Sequence, residues 1–196
     1  MLNQTTRRAL MIGAGILAAP GILRAQTRNV IDMLAGDGRF NRWVEVVGRG
    51  GATDQFRGAG PMTVFAPVDA AFQGTGWQRI EELLSQGSSG GGGGGTLGGG
   101  SPDTSRLRSF IGYHVIAGRA LAPADLKGEM LLPTVAGGNL LVAARNGAIA
   151  VSNPQPNSQN TFGVGGVNVA PAAAVVGPAI VANNGIIYPI DGLLLP

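Results

Sequence analysis

Thr63 to Phe72, TVFAPVDAAF, and Asn184 to Pro196, NGIIYPIDGLLLP, are the stretches whose reading decides the fold. In the first, Val64 and Phe65 favour a strand, Pro67 stops its ladder, and Asp69 is placed to cap a helix start over Ala70 to Phe72. The second reads as a strand that closes the chain. Pro189 inside it cannot donate to a ladder, so an edge position or a bulge, with a local bend, is expected there. Between the two stands the doublet Tyr113-His114, after a helical stripe of Leu107, Phe110 and Ile111 that Ser101-Pro102 would open as cap and first-turn proline.

Working outward, Asn29 caps a short helix through Val30, Ile31 and Leu34, with Gly36 as its stop. Phe40, Trp43, Val44 and Val47 recur at helical spacing up to Gly50-Gly51, an apolar stripe that belongs to the core. Ile80, Leu83 and Leu84 mark another helical face, with Glu81 and Glu82 on its wet side. From Gly87 to Gly100 the composition collapses to glycine, which cannot offset its ordering entropy by burying side chains, so a disordered insert is expected. The second half is strand-rich. Leu131 to Val135 and Leu140 to Ala144 flank Gly137-Gly138, Asn146-Gly147 separates the next pair, and Ile180 to Ala182 and Ile186 to Ile190 flank Asn184-Gly185. All three are candidates for tight hairpins. Asn153 to Gly166 is polar and Gly-rich and reads as a second long loop. Helices first and antiparallel strands after give an α+β domain.

The N-terminus carries Arg7 and Arg8, an apolar run from Ala9 to Leu23, and Arg24-Ala25, the layout of an export signal over residues 1–25. The run is shorter than the roughly 20 residues of a membrane-spanning helix, so no permanent span is expected after cleavage. Thr6 to Leu10 also resembles a twin-arginine signal, although paired arginines occur in ordinary signals too. Without residues 1–25 the 14 basic residues fall by Arg7, Arg8 and Arg24 to 11, matching the 11 acidic ones. A neutral chain with scattered arginines offers no phosphate-binding face, which argues against nucleic acid. With no cysteine, neither a disulfide nor a thiolate zinc site can form, and one histidine cannot make a two-histidine site. No metal or cofactor is expected.

Three ordered segments carry a family resemblance. Thr63, Phe65, Ala66, Pro67, Asp69, Ala71 and Phe72, then Tyr113-His114-Val115, then Asn184, Gly185, Ile187, Ile190, Asp191, Leu194 and Pro196 resemble the fasciclin (FAS1) motifs in order and spacing, over residues 26–196. Leu132-Pro133-Thr134 with Gly137-Gly138 is similar to the family's hairpin. Val68 departs from the usual threonine, and Tyr188-Pro189 from a histidine and an apolar residue. The resemblance implies a compact antiparallel β-sandwich or wedge flanked by short helices, and an exported adhesion or matrix module in the periplasm or outside the cell. Its partner would be an envelope or matrix protein or a polysaccharide. A periplasmic binder of a small apolar molecule is the alternative, and would need a cavity lined by Trp43, Trp77 or Phe110.

The candidate contact or structural residues are Asp69, Tyr113, His114 and Asp191, with Trp77 as a contact aromatic. For His114 a buried role bonded to Asp69 or Asp191 is expected, for Tyr113 a core position at a strand start, and for Asp191-Gly192 a backbone-capping turn. No catalytic residue is assigned. There is no G-x-S-x-G elbow for a serine beside His114, no lysine follows a glycine run, and Gly48 to Gly51 and Gly163 to Gly166 lack a dinucleotide register. Glu81 and Glu82, adjacent on a helix, diverge rather than pair.

Overall fold

Two strands are buried at every position, β1 (Met62–Pro67) and β8 (Gly185–Ile190), and they run parallel in register from Met62 opposite Gly185 to Pro67 opposite Ile190. Continuous apolar strands of this kind need cover on both faces, and the remaining elements supply it. The computed structural model describes residues 28–58, 60–73, 104–154 and 172–195. The export signal, the Gly-rich insert 87–100, the helix expected at Ile80 to Leu84, Ser101-Pro102, Trp77 and most of the loop 153–166 lie outside the described residues.

In chain order the helices are α1 (Val30–Asp37), α2 (Asn41–Arg49), α3 (Thr53–Arg57) and α4 (Thr104–Tyr113), with a 3-10 turn at Asp69–Phe72. The other strands are β2 (Val115–Ala117), β3 (Gly128–Pro133), β4 (Asn139–Arg145), β5 (Ala148–Ser152), β6 (Ala173–Ala174) and β7 (Ile180–Ala182). The first sheet has the order β2-β1-β8-β7 and the second β3-β4-β5-β6. The fold is α+β, as expected, and among the described strands the β1–β8 pair is parallel while the other pairs are antiparallel.

The core lies in two layers, one on each face of the first sheet. Val64, Ala66 and Ile187 face the helices and meet Leu34, Trp43, Phe56, Phe110 and Ile111. Phe65, Ile186, Tyr188 and Ile190 face the second sheet and meet Leu132, Leu140, Val142 and Val151. This split follows from the alternation of side chains along a strand. The second sheet buries only its inner face; on the outer one Leu131 is 61% exposed.

Local chemistry explains most boundaries. Asn29 accepts from the Asp32 amide at 2.9 Å and caps α1, but the helix runs past Gly36 and ends at Gly38, whose φ of 78° is the left-handed stop. Asn146, at φ 51°, and Gly147, at φ 80°, form the primed turn between β4 and β5. The third expected hairpin shifts by one residue. Ala182 pairs with Gly185, so the loop is Asn183-Asn184 and Gly185 belongs to the strand. A Cβ at Gly185 would come within 2.5 Å of the Met62 carbonyl, so glycine serves the close approach of β1 and not the turn.

Pro189 occupies a central strand and not an edge, and its register with Ala66 is unbroken. Its carbonyl accepts from Val176 at 2.8 Å, and in extended backbone a residue's nitrogen points the same way as its carbonyl. The missing donor therefore faces away from β1, beyond Ile187, where the pairing with β7 ends.

Asp69 caps a different helix from the one expected. The 3-10 turn that it opens has no side-chain cap, while Asp69 Oδ1 accepts from the Arg42 amide at 2.8 Å and Oδ2 from Asn41 Nδ2 at 3.1 Å. Phe40, which precedes α2, has no capping side chain, so the carboxylate 28 positions later in the chain than Asn41 fills that role. It meets the positive end of α2 as well as the orphan amide. Asp69→Ala is expected to lower stability by about 1 kcal/mol, and Asp69→Asn by less, since it keeps an acceptor. Urea unfolding of the two variants checks this; equal losses would mean that the carboxyl oxygen is not acting as a cap.

Candidate functional site

His114 follows the last residue of α4 and is wholly buried. Its Nδ1 lies 2.9 Å from the Phe110 carbonyl, and the Leu194 amide donates to Nε2 at 3.1 Å. Those partners set the tautomer, with the proton on Nδ1 donated to the carbonyl and a bare Nε2 as acceptor. The imidazole lies 4.8 Å from the Trp43 ring and 4.7 Å from the Phe110 ring, centroid to centroid. Burial pushes its pKa down to about 4, against the smaller upward pull of the Phe110 carbonyl. Neither Asp69 nor Asp191 is its partner, contrary to expectation. The ring instead ties the end of α4 to the segment after β8.

Tyr113 ends α4 and does not begin a strand, because β2 starts only at Val115. Its hydroxyl donates to the Asn139 carbonyl at 2.9 Å, and its ring covers Gly138, where a Cβ would come within 2.8 Å. Burial raises its pKa. Although adjacent, Tyr113 and His114 therefore serve different layers, Tyr113 the one between the sheets and His114 the ring cluster of Trp43 and Phe110. Asp191 accepts the Ala174 amide on Oδ1 at 2.7 Å, while its own amide donates to the Ala174 carbonyl at 3.1 Å, which fastens β6 to the end of β8.

Two further residues carry contacts that sequence reasoning did not assign. Thr63 Oγ1 donates to the Arg119 carbonyl at 2.8 Å and accepts the Leu121 amide at 2.9 Å, so a buried hydroxyl holds the loop that follows β2. Asn184 accepts from the Val30 amide on Oδ1 at 2.8 Å and donates through Nδ2 to the carbonyls of Phe56 and Gly58 at 2.9 and 2.8 Å. Both residues stand in the quoted segments, yet their partners are remote in sequence and leave no local signal.

The polar atoms of Asp69, Tyr113, His114 and Asp191 thus meet separate partners, and none meets another. Nothing in this arrangement presents a nucleophile to a base. Among the described residues no group of three or more histidine, aspartate or glutamate side chains could hold a metal ion. Trp43 and Phe110 are 0% and 2% exposed and pack ring against ring at 6.0 Å inside the core.

The fasciclin domain model matches residues 38–196. The chain belongs to the fasciclin family. Fasciclin domains are generally non-catalytic adhesion modules. An uncharacterized protein of the cyanobacterium Synechocystis is 28% identical over 167 residues, covering 85% of this chain and 97% of that protein. The rabbit transforming growth factor-beta-induced protein ig-h3 is 25% identical over 175 residues, covering 89% of this chain and 20% of the rabbit protein. Among solved structures, a FAS1 domain pair from the insect cell adhesion molecule fasciclin I is similar with a TM-score of 0.57 at 18% identity. That likeness covers 87% of this chain and 52% of the insect one, so this chain spans about half of the pair.

The departures from the fasciclin motifs now have physical readings. At Val68 the usual hydroxyl would sit at the cap of the 3-10 turn; valine leaves that cap unmade and packs against the helical core instead. At Tyr188 the hydroxyl donates to the Leu121 carbonyl at 2.8 Å and the ring stacks on Phe65 at 5.6 Å. Its pKa is pushed up to about 12, by burial first and by the negative charge of Asp125 second.

Proposed function

We propose that this fasciclin domain is an exported, non-catalytic module of adhesion or matrix contact at a bacterial envelope, acting in the periplasm or outside the cell. The observation that carries the reading is the fasciclin match over residues 38–196. Two features support it. The motif side chains are spent on the fold, His114 and Tyr113 among them, so contacts with a partner fall to loops and outward strand faces. The outer face of the second sheet offers such a surface, with Leu131 exposed beside the Glu129–Arg145 ion pair. Export rests on the signal-like residues 1–25.

Beads coated with the purified chain are expected to adhere to envelope or matrix surfaces more than beads coated with an unrelated protein of like charge. A chain lacking Gly87 to Gly100 should adhere equally. Coated and control beads that adhere alike would sink the reading, and a loss confined to the shortened chain would make the insert the contact arm.

A further inference from the structure

Two open clefts meet where β1 and β8 begin. One, of about 700 Å³, is lined by Arg119, Leu121, Asp125 and Lys127 among others. The other, of about 640 Å³, is lined by Arg57, Val181 and Ile186 among others. Pro61 and Ala120 line both, so the two form one trough. Each part is of the size that binds small organic groups.

The trough is positive, although basic and acidic residues balance over residues 26–196 as a whole. Its charged residues are Arg57, Arg119 and Lys127 against one carboxylate, Asp125, whose Oδ2 already accepts the Ala122 amide at 2.9 Å. The three cations are exposed and have no ion-pair partner among the described residues, whereas Arg39, Arg49 and Arg145 each have one. Cations of one sign gathered along a concave surface focus their field on a ligand. Apolar side chains share the lining, Pro61 and Ala120 in both parts and Val181 and Ile186 in the second, beside the polar Asn184.

We propose that this trough binds an acidic polysaccharide, a chain of sugars each bearing a carboxylate. A pyranose ring offers an apolar face to Pro61 and Ala120, while carboxylates on successive sugars reach the cations on either side. An arginine fork accepts a carboxylate through two parallel bonds, which suits Arg57 and Arg119. An extended acidic peptide is the competing occupant, and poly-glutamate tests it directly. The proposal rests on the reading of the chain as a matrix-contact module and names the chemistry of the partner.

The chain, expressed in full and purified after export, is titrated calorimetrically with polygalacturonate, neutral dextran and poly-glutamate. Polygalacturonate is expected to bind, more weakly as salt is added, and dextran is not. Arg119→Gln with Lys127→Gln should weaken binding roughly tenfold, at a few-fold for each exposed pair. Arg39→Gln with Arg49→Gln, the same charge change at paired cations that line neither cleft, should leave it unchanged. Equal losses in the two double variants, equal binding of dextran, or tighter binding of poly-glutamate would overturn the proposal. Beads that adhere although polygalacturonate does not bind would overturn the trough and leave the adhesive reading standing. Binding of polygalacturonate by a chain whose beads do not adhere would support the trough and overturn the adhesive reading.

Discussion

Acidification from pH 7 to pH 4 is expected to cost the folded chain about 3 kcal/mol through His114 alone. The ring is fully buried, donates to Phe110 and accepts from Leu194, so the fold requires the neutral form. A proton on Nε2 would face the Leu194 amide, which is itself a donor. In the unfolded chain the ring takes its proton near the ordinary value of 6.5, while in the folded chain it resists until about 4. Between those values the unfolded state holds more protons, so stability falls with pH. The contribution is present in full above pH 6.5 and is lost as pH drops through 4.

The test is clean because His114 is the only histidine in the chain. Asp37 is held below its ordinary value by its bond to Arg39, and any slope that the native chain shares with a His114 variant belongs to groups other than the imidazole. Urea midpoints at pH 7, 5.5 and 4 should decline steadily, with the Trp43 fluorescence reporting the change from 4.8 Å away. His114→Gln, neutral throughout and still able to donate and accept, should be less stable at pH 7 and flat across the window. A flat native curve, or the same slope in the variant, would mean that the imidazole is not the titrating group.

What the bond to Leu194 restrains is the last described segment, Leu193 to Leu195, whose side chains pack into both core layers. That segment has no strand pairing among the described residues and is held by two such bonds, the second from Asn153 Nδ2 to the Leu195 carbonyl at 3.2 Å. Acid therefore loosens the end of the chain first, before the parallel pair beneath it. The trough between Arg57 and Lys127 lies at the beginning of β1 and β8, away from this end, so binding there should outlast the loss.

Strands, turns and apolar stripes were legible in the sequence wherever the deciding interaction is local. Asn29, three residues from the amide that it caps, and Asn146-Gly147, which needs only its own backbone angles, could be read directly. Asp69 could not, because its acceptor oxygens serve a helix that precedes it by 27 positions and the amide in question carries no mark. Pro189 looked like an edge residue because a missing donor is a liability in a general sheet. It is harmless here because β7 stops two residues earlier and the segment at Val176 calls only on the Pro189 carbonyl. The doublet Tyr113-His114 was legible as a motif, but not as two side chains committed to different cores; that depends on α4 ending between them. The basic trough was invisible, since Arg57, Arg119 and Lys127 are scattered in sequence and gathered only by the loops around Pro61.

Asn184 separates a local from a non-local reading most sharply, and its replacement should be among the costliest changes of a partly exposed residue. As the first half of an Asn-Gly pair it reads as a turn residue chosen for a left-handed backbone, and on that reading Asn184→Gly would be neutral. Among described non-glycine residues, however, only Asn146 has a positive φ, so Asn184 does not use that freedom. Its side chain instead fills vacancies at two helix ends. Val30 carries one of the orphan amides of α1, and the carbonyls of Phe56 and Gly58 are left open where α3 stops. Meanwhile the Asn184 carbonyl accepts the Met62 amide at 3.1 Å, which places those helix ends against the start of β1. Removing the side chain leaves three groups without partners, at about 1 kcal/mol for each bond, or about 3 kcal/mol in all. Asn184→Ala and Asn184→Gly are therefore expected to lose alike. Asn184→Asp should do no better, because it keeps the acceptor for Val30 but turns an oxygen toward the carbonyls of Phe56 and Gly58. Urea unfolding of the three variants decides the matter: stability retained in Asn184→Gly alone would return the residue to the turn, and would leave α1, α3 and β1 joined by packing rather than by this amide.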